Sequence, residues 1–557
     1  MFNFRAVYFY LLAVKIVLTR FLKQIYFTSN YYNKSLRTKL PGQFYFYPNP
    51  LLLSSFIDQK NFSFKLSKIN AENFWFKQKN EKEEENLNNF FWLNLINRKN
   101  DGLIIQKIIL IWIKDNNKYK KKNWDNLNIS KRVLAWILNA DIILNNADRE
   151  FQKNFFNSIV IQINHLKKNL NYEDDVSKKI EILSSIILSG LVFREYNSNF
   201  ELGIKELKII VEKFFDNDGC PVNRNIYDLV QCSKFLILIK ECSRDGQEYI
   251  PDYLDDIVDK MIDCLNSMRT PANKSFLFNG ASEFKMDAYY DYLEGLGYKS
   301  EDIKNIVNQI YIIKTKRALL FFDVGSPPPK KYSSGYQSGP LSFEYFVDNK
   351  KIITNCGFGN KISQKAELIS RLTSAQSTLC LNDSSVVKFE KNTLIQNTFG
   401  TTITSSFKVF DIVNSEDTNF VYASATHDAY KYNFSYLHKR SVKIMKKNSD
   451  LYGQDELISI NNEKQLSNIY AIRFHLYPGV SAVQTMGKNS ILVQIEKNKS
   501  MIFTTNGENL ALEKSLFLGR NQIVNNFCIT ISGTLNINEN KTINWELKKI
   551  TRHEAKN

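Results

Sequence analysis

The chain has 557 residues, 43% hydrophobic and 24% charged, with 74 Lys and Arg against 57 Asp and Glu for a formal net charge of +17. That length exceeds one ordinary core and that composition excludes a disordered chain, so two or more folded domains are expected. The basic balance favours polyanionic partners such as acidic polysaccharide, anionic lipid or nucleic acid; paired zinc ligands or an RRM signature do not accompany it, and no nucleic acid is expected.

Residues 1–39 form an apolar, aromatic segment interrupted by Arg5, Lys15, Arg20 and Lys23. The uncharged run 6–14 is too short to cross a bilayer, so no transmembrane span is expected. It fits the apolar part of an export signal, although no small-x-small cleavage site follows, or an amphipathic helix lying on the protein or on a membrane surface. From about 40 to 125 the chain is rich in Phe, Trp and Asn, and the charged run 77–85 reads as a solvated helix face.

Beyond Trp124 the apolar residues recur at helical spacing. Ile129, Val133, Trp136, Ile137, Ala140, Ile143 and Leu144 share one stripe, with Asn128 or Ser130 as its cap. Further stripes run through Ile180, Leu183, Ile187 and Leu191, through Ile204, Leu207, Val211 and Phe214, and through Tyr227, Val230, Phe235 and Leu238. Another follows at Leu254, Ile257, Met261, Leu265 and Met268. Short polar breaks at 171–175 and 216–219 imply hairpins of successive helices, and an α/α toroid is expected over 40–316.

The stretch Asp323-Val-Gly-Ser-Pro-Pro-Pro-Lys-Lys331 is a seam, because three consecutive prolines continue neither a helix nor a sheet. After it the period changes to two at 341–347, 418–425, 472–476, 490–496 and 541–547, with Asp348-Asn349, Asn382-Asp383 and Asn506-Gly507 as turns. An antiparallel β-sandwich is therefore expected over 317–557. Seven scattered cysteines, with no CxxC pair, read as buried apolar residues and not as a disulfide framework.

The wording of several segments resembles one family. The seam is followed by Tyr336-Gln-Ser-Gly-Pro-Leu-Ser-Phe-Glu344, then by Asn355-Cys-Gly357 and Ser374-Ala-Gln-Ser-Thr-Leu379. Next come His427-Asp-Ala-Tyr430, Leu437-His-Lys-Arg440, Arg473-Phe-His-Leu-Tyr-Pro-Gly-Val480 and Leu512-Glu-Lys-Ser515, while Asp218-Gly-Cys-Pro-Val-Asn-Arg-Asn225 lies in the helical half. In this order they are similar to motifs of the heparinase II/III-like polysaccharide lyases, which join a helical toroid to a β-sandwich.

That resemblance implies β-elimination on a uronate-containing, glycosaminoglycan-like polysaccharide. Such chemistry needs a partner that neutralises the uronate carboxylate, a base for the C5 proton and an acid for the leaving 4-oxygen. Asn223, Arg224 and Asn225 are the expected neutralising residues, and Gln337 an expected sugar contact. Family members bring a tyrosine from the helical domain and a histidine from the sandwich. His427, Tyr430 and His438 are the expected catalytic groups, and Tyr289, Tyr290 and Tyr292 the nearest helical-domain phenols. The family's histidines in two motifs are replaced here by Gln337 and Gln376, which exchange no proton near neutral pH; a glycan-binding or cell-envelope protein that has lost turnover is the competing expectation. No cofactor is assigned, although some relatives carry a divalent metal in the sandwich, for which His427 and His438 would be two ligands and no third is identifiable. His475, on an alternating strand, reads as structural, and His165 and His553 as surface residues. The family suggests the cell envelope or periplasm. Oligomeric state and glycan identity are not legible.

Overall fold

The computed structural model describes residues 4–57, 71–75, 81–98, 101–300, 302–460, 467–496 and 499–550. The helical half opens with α1 (Phe4–Thr28), α2 (Asn30–Ser35), α3 (Ala71–Phe74), α4 (Glu81–Asn88) and α5 (Gly102–Asp115). It continues with α6 (Asn126–Leu138), α7 (Ala140–Ile143), α8 (Arg149–Asn169), α9 (Val176–Val192), α10 (Asn197–Phe214), α11 (Ile226–Asp245), α12 (Asp252–Ser267) and α13 (Asp287–Gly295). The spacing that predicts these helices also predicts their inward faces: α9 packs against α6, α10 and α11, and Ile180, Leu183, Ile187 and Leu191 are buried in one continuous core. Carboxylates cap α6, α8 and α9 and an amide caps α11, each accepting from orphan backbone N–H groups of the first turn. Asp125, not Asn128 or Ser130, caps α6, accepting from the N–H of Leu127 at 3.1 Å; Ser130 instead donates to the carbonyl of Glu181 at 2.6 Å.

The remainder is two antiparallel sheets. Its strands are β1 (Ile306–Val307), β2 (Ile310–Lys314), β3 (Ala318–Asp323), β4 (Phe343–Val347), β5 (Lys350–Thr354), β6 (Leu379–Leu381), β7 (Val409–Glu416), β8 (Phe420–His427) and β9 (Tyr436–Met445). They continue with β10 (Leu451–Ser459), β11 (Asn468–Leu476), β12 (Ser481–Gln484), β13 (Ser490–Glu496), β14 (Lys499–Thr505), β15 (Asn509–Phe517), β16 (Val524–Leu535) and β17 (Lys541–Lys549). One sheet runs β1-β2-β3-β4-β5-β11-β16-β15, with β6 paired to β11, and the other runs β12-β13-β14-β17-β10-β9-β8-β7. Two short helices, α14 (Gln364–Ser370) and α15 (Thr393–Phe399), lie in the long connections. β1 and β2 precede position 317, where the sandwich was expected to begin, and pair into the first sheet through β3.

The first sheet does not have one wet face. All six residues of β3 and all five of β4 are buried. Alternation persists underneath: Leu319 and Phe321 belong to the core of the helical half, Leu320 and Phe322 to the core between the sheets. The toroid therefore packs directly on the sandwich, and hydrophobic burial fixes their relative position.

Polar bonds cross the same boundary. Arg224, at 2% side-chain exposure, is ion-paired with Asp323, and its guanidinium also donates to the carbonyls of Asn308 and Gln309. Gly325 must lack a side chain there, since a Cβ would stand 2.2 Å from the guanidinium carbon. Lys351 donates to Glu344 at 2.7 Å, and the other oxygen of that buried carboxylate accepts from the N–H of Leu277. Removing one partner of such a pair strands a buried charge. Asp323→Asn should destabilise the protein by about 3–5 kcal/mol, read as a fall in the thermal unfolding midpoint; a change under about 1 kcal/mol would show that the pair does not hold the domains.

α1 packs on α15, with the Phe9 and Phe399 rings 6.3 Å apart and Ala13 buried, while Leu11, Leu18, Phe21 and Leu22 face outward. Among the described residues no helix is long and apolar enough to cross a membrane.

Candidate functional site

A cleft of about 750 Å³ lies where the toroid meets the loops at the end of the first sheet. On the helical side it begins at the turn between α10 and α11. Asp216 accepts from the N–H groups of Asp218 and Cys220, Gly219 adopts φ +79°, and Cys220 is disulfide-bonded to Cys264 of α12. The pairing corrects the expectation that no disulfide forms; the other five cysteines are buried thiols. Arg224 then takes φ +62°, which turns its side chain into the domain boundary and leaves Asn223 and Asn225 on the cleft.

Both amides are oriented by the backbone. Asn225 caps α11, its side-chain oxygen accepting from the N–H of Tyr227 at 2.9 Å, so its Nδ2 is the end left for the cleft. Asn223 accepts from the N–H of Asn225 and donates to Asp228 at 2.5 Å. Burial pushes the Asp228 carboxyl up to about 6, against the lowering effect of that bond. Asn279 and Gly280 face them from a turn in which both have positive φ. Asn279 is 2% exposed, and its Nδ2 has no hydrogen-bond partner. A Cβ on Gly280 would stand 3.0 Å from the Gly335 carbonyl oxygen and 3.2 Å from Nδ2 of Asn225, so this close approach requires glycine.

Lys131, Lys178 and Glu181 line the toroid wall, with Tyr227 beside them; Tyr332, Tyr336, Phe358 and Lys361 line the sandwich side. The ammonium of Lys361 lies 5.8 Å from the Tyr227 ring centre. Burial, then the carboxylates of Asp228 and Glu181, push the Tyr227 phenol up. A second cavity of about 870 Å³ shares Asn223, Asp228 and Tyr332 with the cleft and reaches Phe9 and Arg20 of α1.

The structure divides the expected site residues. Asn223 and Asn225 line the cleft, whereas Arg224 is committed to Asp323 beneath it. Gln337 is buried as a clamp: its oxygen accepts from the N–H of Gly280 at 3.0 Å, and its amide donates to the carbonyls of Gly357 and Ser370. Gln376 donates to the same Ser370 carbonyl at 2.8 Å. Both glutamines thus meet at one backbone oxygen, and Gln337 bridges the domains.

His427, Tyr430 and His438 do not line the cleft; all three are inside the sandwich with at most 1% exposure. The N–H of Ala429 donates to Nδ1 of His427, so Nε2 of His427 carries the proton and donates to Nδ1 of His438 at 3.0 Å. Nε2 of His438 then donates to Asp455 at 2.7 Å, and that carboxylate also accepts from Arg440 and Trp545. Burial lowers both imidazoles, so they are neutral. With each acceptor nitrogen already bonded, the pair does not fit a metal, and among the described residues no group of three His, Cys, Asp or Glu is arranged to hold one. The phenol of Tyr430 donates to the Leu379 carbonyl at 2.7 Å. Adjacent strands bring the histidines together, β8 and β9 placing His427 opposite His438.

Tyr289, Tyr290 and Tyr292 are bonded to Ser233, Leu265 and Leu52 and are absent from the cleft wall. His475 is buried between Ser515 and the Ser374 carbonyl, as a structural strand residue should be. His165 is not on the surface: it is 1% exposed and bonded to Tyr32 at 2.6 Å. His553 lies outside the described residues.

Four cleft residues were not expected at the site, and each carries a faint signal. Asn279-Gly280 is a turn dipeptide, Tyr227 stands two residues beyond the Asn225 cap, and Glu181 is a lone acid amid the apolar residues of α9. If the histidine relay holds the sandwich together, His438→Ala should lower the unfolding free energy by about 2 kcal/mol or more. Glycan affinity per folded molecule should not change; a selective loss of affinity would put His438 at the site instead.

Two family models match in order, "Heparinase II/III N-terminus" over residues 74–300 and "Heparinase II/III-like, C-terminal" over 309–546. Among solved structures, a mutant of the heparan sulfate lyase HepC from Pedobacter heparinus is 15% identical, with a TM-score of 0.66 over 89% of this chain and 81% of that one. A structure described as heparinase III is 12% identical, with a TM-score of 0.64 over 97% of this chain and 92% of that one. Comparison with curated proteins found no match. With both halves matched in sequence and the toroid and sandwich of the fold shared, the chain belongs to the heparinase II/III-like family.

Proposed function

We propose that the protein is a polysaccharide lyase that cleaves a uronate-containing glycan by β-elimination in the cleft between toroid and sandwich. The observation that carries this reading is the unbonded amide of Asn279, buried in the wall of the cleft that Asn225 also lines. A buried donor without a partner costs about 1–3 kcal/mol, a cost recovered when an acceptor such as a sugar carboxylate binds. Two amide donors aimed at one carboxylate stabilise the carbanion that forms when the C5 proton leaves.

Tyr227 is the base in this reading, as the helical-domain phenol on the cleft wall. Its raised phenol makes the ionised form scarce near neutrality and strongly basic once formed, and the Lys361 ammonium lies 5.8 Å from its ring centre. The net charge of +17 suits a polyanionic substrate, and the Cys220–Cys264 disulfide suits an oxidising compartment such as the periplasm or cell envelope. A second reading, glycan binding without turnover, is favoured by the bonding of Gln337 and Gln376 to Ser370, which gives both family histidine positions over to structure.

β-Elimination creates an unsaturated uronate that absorbs in the near ultraviolet. Incubation with heparan sulfate, hyaluronan, alginate and polygalacturonate should raise that absorbance for at least one of them, and Asn279→Ala and Tyr227→Phe should each lower the rate by about 100-fold. Binding without any absorbance change across the panel would establish the second reading in place of the first.

A further inference from the structure

Glu181 has no role in the fold that explains its chemistry. It sits on α9 with its side chain on the cleft, and Oε1 is buried with no hydrogen-bond partner. Its backbone carbonyl, by contrast, accepts from the hydroxyls of both Ser130 and Ser184, so the helix is fixed firmly at this residue. An unpartnered carboxyl oxygen on a firmly held residue that lines a ligand cavity is a group that an entering ligand can satisfy. In a cleft for acidic sugars an ionised carboxylate would repel the ligand; a protonated one donates to it.

Resting on the elimination reading above, we infer that Glu181 is the acid of the reaction, giving its proton to the leaving 4-oxygen. As the base takes the C5 proton, the C5–H electron pair forms the C4–C5 double bond and the C4–O4 pair departs onto the oxygen. The Glu181 O–H supplies the proton that makes that oxygen a hydroxyl, and the carboxylate left behind recovers a proton from solvent. No further reactant is needed. Gln337 and Gln376 carry no exchangeable acid, the sandwich histidines are sealed inside their own relay, and the other raised carboxyl of the cleft, Asp228, is already bonded to Asn223.

The surroundings agree with a carboxyl that keeps its proton. Burial pushes it up to about 7, with Lys131 of α6 acting in the opposite direction. Lys178 also lowers it, while Asp125 before α6 and Asp175 at the start of α9 raise it. From α11, Tyr227 and Asp228 face the same space, and the sandwich contributes Lys361 and Glu367 to the opposite side of the cleft. A general acid contributes most when its titration lies near the working pH.

Glu181→Gln keeps the shape of the side chain and removes the acid. With a glycan that the wild type cleaves, the variant should lose about 100-fold in kcat at pH 6, with KM within about threefold. The wild-type advantage should then shrink about tenfold per pH unit above about 7, because the wild type loses the same proton as its carboxyl ionises. A structural role would lower stability and leave that ratio independent of pH. Folding gives a separate check. A carboxyl raised in the folded state costs stability as pH rises through its titration, so the wild type should melt progressively below Glu181→Gln between about pH 5 and 8.

Equal kcat in the two proteins, or a ratio that does not move with pH, overturns the assignment while the elimination reading stands on wild-type turnover. A wild type inert on heparan sulfate, hyaluronan, alginate and polygalacturonate overturns both.

Discussion

The ion pair between Arg224 and Asp323 is the constraint on which the site depends. It lies under the cleft and ties the loop that displays Asn223 and Asn225 to the last residue of β3. The positive φ of Arg224 sends one side chain down into the boundary and its two neighbours up into the cleft. Because both charges are almost fully buried, each is tolerable only with the other in place. The disulfide from Cys220 to Cys264 anchors the same loop from its other end. The two cleft amides are thus held between a covalent and an electrostatic anchor, which fixes their positions before any ligand enters.

Packing explains why the anchor can work. The β3–β4 part of the first sheet is covered on both faces, so the toroid and sandwich share one interior layer there. Glu344, Lys351 and the backbone of Leu277 add a second buried polar contact across it. Outside the cleft, Tyr477 donates to Glu283 at 2.5 Å while Arg520 and Lys274 pair with that carboxylate, so the domains are also laced at the rim. A cleft formed this way keeps its shape without ligand, and its buried unbonded groups, Nδ2 of Asn279 and Oε1 of Glu181, mark where a ligand would have to supply partners.

The two glutamines do work that a proton-transfer group would not. A histidine can move a proton; a glutamine can satisfy an acceptor and a donor at once. Gln337 does the second, joining the Gly280 N–H of one domain to carbonyls of the other, and Gln376 converges on the same Ser370 oxygen. The histidines that remain have gone the other way. His427 and His438 form a neutral relay ending on Asp455, in which every ring nitrogen is bonded and none faces solvent.

By itself the sequence determined the architecture. Period-3.6 stripes before the triple proline and alternation after it are local consequences of burying one face of a helix or strand, and they predict a toroid followed by a sandwich. The motif order determined the family, and the Asp218–Asn225 segment singled out Asn223, Arg224 and Asn225, of which Asn223 and Asn225 line the cleft. What the tertiary structure alone decided was which polar residues face the cleft. His427 and Tyr430 follow family wording yet point into the sandwich; Arg224 stands between two cleft residues yet belongs to the boundary; Glu181 sits in an apolar helix stripe yet reaches the cavity. Strand alternation and a single backbone turn set those directions, and β1, β2 and β3 join the sheet from before the seam because the partner of β3, β4, lies beyond it. Direction and partnership are long-range properties, and no window of sequence contains them.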